Sequence, residues 1–233
     1  MRRQSKPRQT NEIRKQELII AALNSIIKNG YLNSTINTIS DESGFSRGLI
    51  NHYFASKEDL LTAAHRYYLQ NADDFYRHLM TSTTTGNFQR LIFAASGPFL
   101  RDIGYHPLLI HYMSAAWVVP EILALHRSLW GKYRSFIERR LLAVAHDKGM
   151  EIDVRLEAIT LTQLADGLWL GRVMEQTYTD EECCIILRRW LCGLFGEKPE
   201  DYPLRPDFGV DEFPTSAPLP KRFNTYPNQS DGH

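Results

Sequence analysis

The chain has 233 residues, of which 43% are hydrophobic and 23% charged. That composition excludes a disordered, fibrous or collagen-like polypeptide and suffices for one large domain or two small ones. The formal charge is zero, yet the first 57 residues carry nine basic against four acidic side chains, a net +5 that the other 176 offset with −5, so the N-terminal quarter is a candidate contact for a polyanion.

The basic start, Met1-Arg2-Arg3-Gln4-Ser5-Lys6-Pro7-Arg8, has no apolar stretch behind it, which argues against a secretory signal. No run approaches the roughly 20 apolar residues of a membrane-spanning helix. Cys183, Cys184 and Cys192 are odd in number and form no C-x-x-C pair. Together these features predict a cytoplasmic chain with reduced thiols and no membrane partner.

Apolar residues recur with helical spacing nearly throughout, and no segment sustains strand-like alternation, so the fold class is all-α. Ile13, Ile20 and Ile27, widened by Leu23 and Ile26, predict a helix over 12–29 that ends at Asn29-Gly30. A second helix over 35–43 stops at Gly44, and a third, 47–53, has Ser46 as its cap. Ser56 followed by Asp59 starts a helix to about residue 80, and Thr81–Gly86 is read as a loop. Further helices are expected at 87–101, 107–118, 120–146, 153–178 and 180–195, punctuated by Pro107, Pro120, Gly149 and Thr179-Asp180. Residues 196–233 hold seven of the eleven prolines and form an extended or disordered tail, or an arm docked through Phe208, Phe213 and Phe223.

The segment from Thr35 to Phe54 has the spacing of a helix-turn-helix. Ile36, Ile39, Phe45 and Ile50 supply its apolar positions, Ser40 and Ser43 allow a close crossing, and Gly44 sits where the turn needs a positive φ. With its first helix buried, the second presents Arg47, Gly48, Leu49, Asn51 and His52 outward. In a major groove, Arg meets guanine edges, Asn adenine edges and Leu a thymine methyl. Ser46 and Lys57, at helix N-termini, suit phosphate, and His52 and Tyr53 can add donors. Sequence does not decide which of these touch bases, or whether Tyr53 belongs to the core.

Thr35-Ile36, Ser43-Gly44-Phe45-Ser46, Gly48-Leu49-Ile50, His52-Tyr53-Phe54 and Ser56-Lys57-Glu58-Asp59-Leu60, within residues 13–61, resemble the N-terminal domain of TetR-type transcriptional repressors. The body, notably Leu164-Ala165-Asp166-Gly167-Leu168-Trp169-Leu170, resembles the betaine-regulator (BetI) branch. Asn51 departs from the Tyr common in the wider family, so an operator sequence does not carry over. The resemblance implies a three-helix helix-turn-helix domain with a basic arm over 1–57, a helical effector-binding and dimerisation domain over 58–195, and a Pro-rich tail over 196–233. It also implies a homodimer on a two-fold double-stranded DNA operator, released by a small-molecule effector, and adds Thr35 to the DNA-facing residues.

The same resemblance implies dimerisation through the last two long helices, with Leu161, Leu164, Ala165, Leu168, Ile186 and Trp190 as candidates; the stripe would equally pack a monomer core. Tyr112, Met113, Trp117, Trp130 and Trp169, with Glu121, could form an aromatic cage for choline or a related quaternary ammonium ion through cation–π attraction. Such a stripe is also what a core looks like, and a lipophilic effector is the alternative. A helical enzyme is the rival class, but there is no H-E-x-x-H, metal-spaced His and Cys cluster, G-x-S-x-G or phosphate loop. Catalytic residues, metal and cofactor are therefore all expected to be absent. The acids beside Cys183 and Cys184 should raise rather than lower their pKa. A DNA-binding protein without an effector, acting through its tail, is a third possibility.

Overall fold

The computed structural model describes residues 6–82, 85–100 and 106–205. Among these there are nine α-helices and no strand: α1 (Lys6–Asn29), α2 (Ile36–Ser43), α3 (Arg47–Tyr53), α4 (Lys57–Ser82), α5 (Asn87–Leu100), α6 (His106–Ala116), α7 (Pro120–Lys148), α8 (Val154–Glu175) and α9 (Asp180–Phe195). The helical segments fall where periodicity and punctuation predicted them, with one clear exception. α1 begins at Lys6 rather than residue 12, because the added residues, Lys6-Pro7-Arg8-Gln9-Thr10-Asn11, include none with a large apolar side chain that could register a helical period. Pro7 is tolerated there, since N–H groups of a first turn have no helical acceptor. Arg2, Arg3, Phe208, Phe213 and Phe223 lie outside the described residues.

Local chemistry sets the boundaries. Thr35 caps α2 by accepting from the Thr38 N–H at 3.2 Å, while the Thr35 N–H donates to Thr38 Oγ1 at 2.9 Å. Gly44 closes α2 at φ 70° with its N–H on Ser40 O; no neighbour crowds the place a Cβ would take, so the dihedral alone calls for glycine. Ser40 Oγ donates to Phe45 O at 2.6 Å, and Ser43 Oγ accepts from Phe45 N–H at 3.1 Å. Ser46 and Ser56 then cap α3 and α4 through the N–H groups of Leu49 and Asp59. Thr179 and Glu182 form a full capping box on α9.

The tertiary contacts divide the chain into two compact units. The first gathers α1–α3, α4 as far as Leu69, α6 and the start of α7 as far as Ala124. Its core includes Leu18, Leu23, Ile26, Ile39, Ile50, Leu60, Leu61 and Tyr112. Ser25, buried, joins Ser34 at 3.1 Å and Thr38 at 2.7 Å, fixing α1 to α2 with polar groups satisfied. Tyr112 of α6 stacks on His65 of α4, centroids 3.8 Å apart.

The second unit comprises α4 from Gln70, α5, α7 from Leu125, α8, α9 and the segment that follows. Its α5 is buried along almost its whole length and contains Pro98. Gly97 lets Tyr76 lie against α5, as a Cβ there would fall 2.5 Å from the ring. Residues 196–205 are docked rather than loose. Gly196 closes α9 at φ 67°, and Glu197 pairs with Lys148 and accepts from the Tyr202 hydroxyl at 2.8 Å. Arg188 donates to Tyr202 O at 2.7 Å, Gln89 donates to Pro203 O at 3.0 Å, and Phe88 meets the Tyr202 ring edge-on. The tail from Pro206 onward lies outside the described residues.

Candidate nucleic-acid interface and effector site

In the first unit, α3 is anchored by Ile50, which is fully buried, and by the partly buried Leu49 and Tyr53. Ser46, Arg47, Gly48, Asn51 and His52 are exposed, as is Thr35 at the start of α2. Helical geometry places 47, 48, 51 and 52 on one side of α3, so an apolar underside carries a polar outer face. Lys57, partly buried, stands 3.5 Å from Glu58, whose carboxylate shares its charge.

Two neighbours on α1 had no signal in the sequence beyond Lys15's contribution to the charge count. Asn11 Oδ1 accepts from the Tyr53 hydroxyl at 3.1 Å. Lys15 Nζ lies 5.7 Å from the centroid of Phe54, and His52 stands edge-on to Tyr53 at 5.3 Å.

The six candidate cage residues are divided between the two units. In the first, Tyr112 is fully buried, whereas Met113, Trp117 and Glu121 are exposed, Trp117 by 90%. In the second, Trp169 is buried and Trp130 half-buried. A carboxylate that sequence reasoning missed, that of Asp166, stands beside an indole in the second unit: its Oδ2 accepts from Trp130 Nε1–H at 3.1 Å and from Gln163 Nε2 at 3.3 Å. Burial pushes the Asp166 carboxyl up to about 6, against the opposing pull of the Trp130 hydrogen bond and the Arg134 guanidinium. His126 stacks on Trp130 with centroids 4.9 Å apart, and burial holds its imidazole below the usual value. Tyr133, between Tyr76 and the α5 backbone, donates to Ala94 O at 3.4 Å.

The candidate dimer residues also separate. Leu161 and Ala165 are buried in the second unit's own core, which removes them from any partner; Leu164, Leu168 and Trp190 are half-buried, and Ile186 is exposed. The exposed stripe of α8 is instead Leu156, Thr160, Gln163, Gly167, Leu170 and Met174, alternately four and three residues apart. Gly167 there, and Gly193 on the exposed side of α9, have open space where a Cβ would stand.

Burial, followed by the charge of Asp180, pushes Cys183 up to about 11, and burial likewise raises Cys184 to about 11. Burial, more than the flanking glutamates, keeps both as thiols. Among the described residues, no single helix is long and apolar enough to cross a membrane.

Residues 18–64 match the family model of bacterial regulatory proteins, tetR family. The HTH-type transcriptional regulator BetI of Cronobacter sakazakii is 31% identical over 163 residues, covering 68% of this chain and 78% of that one. A crystal structure from Pseudomonas aeruginosa PAO1, described as a transcriptional regulator, is 28% identical with a TM-score of 0.68, covering 82% of this chain and 95% of that one. A regulator from Saccharomonospora viridis, solved in complex with choline, shares the fold at a TM-score of 0.70 and 19% identity, covering 77% of this chain and 96% of that one. With its helix-turn-helix and all-helical body, the chain belongs to the TetR family, as a DNA-binding transcriptional regulator of the BetI-like kind.

Proposed function

We propose that the chain is a repressor that binds a two-fold operator as a homodimer and leaves it when a small cationic effector, choline or a related quaternary ammonium compound, enters the body. In this reading residues 1–57 hold the DNA, and 58–195 hold the effector and the partner. The observation that carries the reading is the exposed polar side of α3, with Arg47, Asn51 and His52 outward and Ile50 inward. Two such helices, one per protomer, would enter successive major grooves about 34–36 Å apart.

The dimer is supported by apolar side chains left in water on the last two long helices: Leu156, Leu170, Met174 and Ile186. The four-and-three spacing on α8 suits helix-on-helix packing, and the open glycines allow close approach. A cationic effector is supported by the Asp166 carboxylate beside Trp130. A desolvated carboxylate is costly to ionise, and a bound cation would relieve that cost while an indole face adds cation–π attraction. The choline complex of the Saccharomonospora viridis regulator is in keeping with this chemistry. Release follows if the effector favours a conformation whose recognition helices no longer match the groove spacing; DNA must then weaken effector binding by the same factor.

The test is a titration of the purified protein on its own upstream DNA, reading Trp fluorescence and DNA release. Choline or its oxidised relatives should produce both at millimolar concentration. Silence toward these, with a response to a long-chain acyl compound, would replace the cation by a lipophilic effector.

A further inference from the structure

The first two turns of α1 bring a second element to the edge of α3. The Tyr53 hydroxyl donates to Asn11 Oδ1 at 3.1 Å. A phenol has one proton to give, and here Asn11 takes it. An amide held by its oxygen keeps two N–H donors on Nδ2. Lys15, four residues further on, shares that face of α1, and its ammonium stands 5.7 Å from the Phe54 ring, just past the end of α3. Asn11 and Lys15 are both exposed. Glu12, the nearest acid in sequence, is turned about 100° around the helix from Asn11. An amide N–H pair and an ammonium thus lie together beside the helix whose outer side faces DNA, and neutral donors with a cation are what a phosphodiester takes.

We propose that Asn11 and Lys15 form a phosphate clamp that grips the DNA backbone flanking the groove entered by α3, with Tyr53 as the positioning residue that aims the Asn11 amide. The proposal rests on α3 being the DNA-facing helix. It also gives the early start of α1 a purpose, since a helix beginning at residue 12 would not carry Asn11. Because phosphates are the same in every sequence, the clamp adds affinity without base preference.

The experiment uses the full chain and two duplexes of about 30 base pairs, three helical turns, one selected by the protein from a random pool and one of mixed sequence. Affinity is measured by fluorescence anisotropy over a range of salt. Lys15→Gln should flatten the salt dependence by about 0.9 in slope, one phosphate's share. Asn11→Ala should weaken both duplexes several-fold with the slope unchanged, and much less so in a Tyr53→Phe background. The deciding variant is Asn11→Asp, which still accepts the Tyr53 proton but has no N–H to give and adds a negative charge. Thr10→Asp, which adds the same charge one position away, is the control: a clamp makes Asn11→Asp bind several-fold more weakly than Thr10→Asp, whereas equal losses in the two variants would show that only charge was felt and would overturn the proposal. Wild-type protein that binds neither duplex in a salt-dependent way would instead bring down the DNA-facing assignment of α3.

Discussion

The hydroxyl of Tyr133 on α7 donates to the carbonyl of Ala94 on α5, 3.4 Å away, and Ala94 is the residue whose helical donor Pro98 removes. Proline has no N–H, so its i−4 carbonyl is orphaned in a buried helix, and an unpaired buried carbonyl is costly. Tyr133→Phe should therefore cost about 1 kcal/mol in urea unfolding. Pro98→Ala, by returning the N–H, should shrink that cost in a double-mutant cycle; an undiminished cost would separate the two residues.

Asp166 links stability to pH. Its folded pKa, about 6, lies above the ordinary 3.8, so the folded state holds the proton more tightly than the unfolded chain does. The stabilisation this gives is full below the ordinary value and is lost as pH rises through about 6. Asp166→Asn should accordingly unfold at higher urea than wild type at pH 7, by about 2 kcal/mol, with the gap closing toward pH 4. The same substitution should weaken choline binding, and wild-type affinity should fall as acid protonates the carboxylate. Equal choline affinity for both proteins would dismiss Asp166 as the anchor.

Gly44→Ala should destabilise the first unit by about 1 kcal/mol, the cost of an L side chain at φ 70°. Gly44→Asn should recover part of it, because Asn tolerates the left-handed region. Thermal melts of the two variants provide the check.

The end of the chain offers a sharp cut. Truncation after Arg205 keeps Glu197, Tyr202 and Pro203, which are bonded to Lys148, Arg188 and Gln89. Truncation after Gly196 loses all of them and uncovers Phe88. The shorter chain should melt several degrees below the longer one.

On the DNA side, Lys57→Ala should weaken binding to every duplex and flatten its salt dependence, whereas Asn51→Ala should change which duplex is preferred. Equal effects of both on selected and mixed-sequence DNA would argue against assigning base contact to Asn51 and phosphate contact to Lys57.

Much of this molecule was legible in the chain because its punctuation is local. Gly44 needs its own dihedral, Ser46 caps the helix it precedes, and Thr179-Asp180 marks the start of α9; each is decided within a few residues. The start of α1 was not legible, since its first residues offer no apolar period. The apolar faces of α8 misled for the opposite reason. With Leu161, Leu164, Leu168, Trp169, Leu170, Val173 and Met174 spread around the helix, periodicity could not say which side the core would take.

Sequence alone therefore determined that the chain is helical, where its helices turn, and which short helix offers Arg47, Asn51 and His52. Only the tertiary structure decided that Leu161 faces inward and Met174 outward, that Asp166 meets an indole, and that Asn11 reaches Tyr53 across 42 positions. The physical reason is range. Caps and dihedrals act between neighbours in the chain, whereas burial and pairing depend on which surfaces the folded helices close against one another.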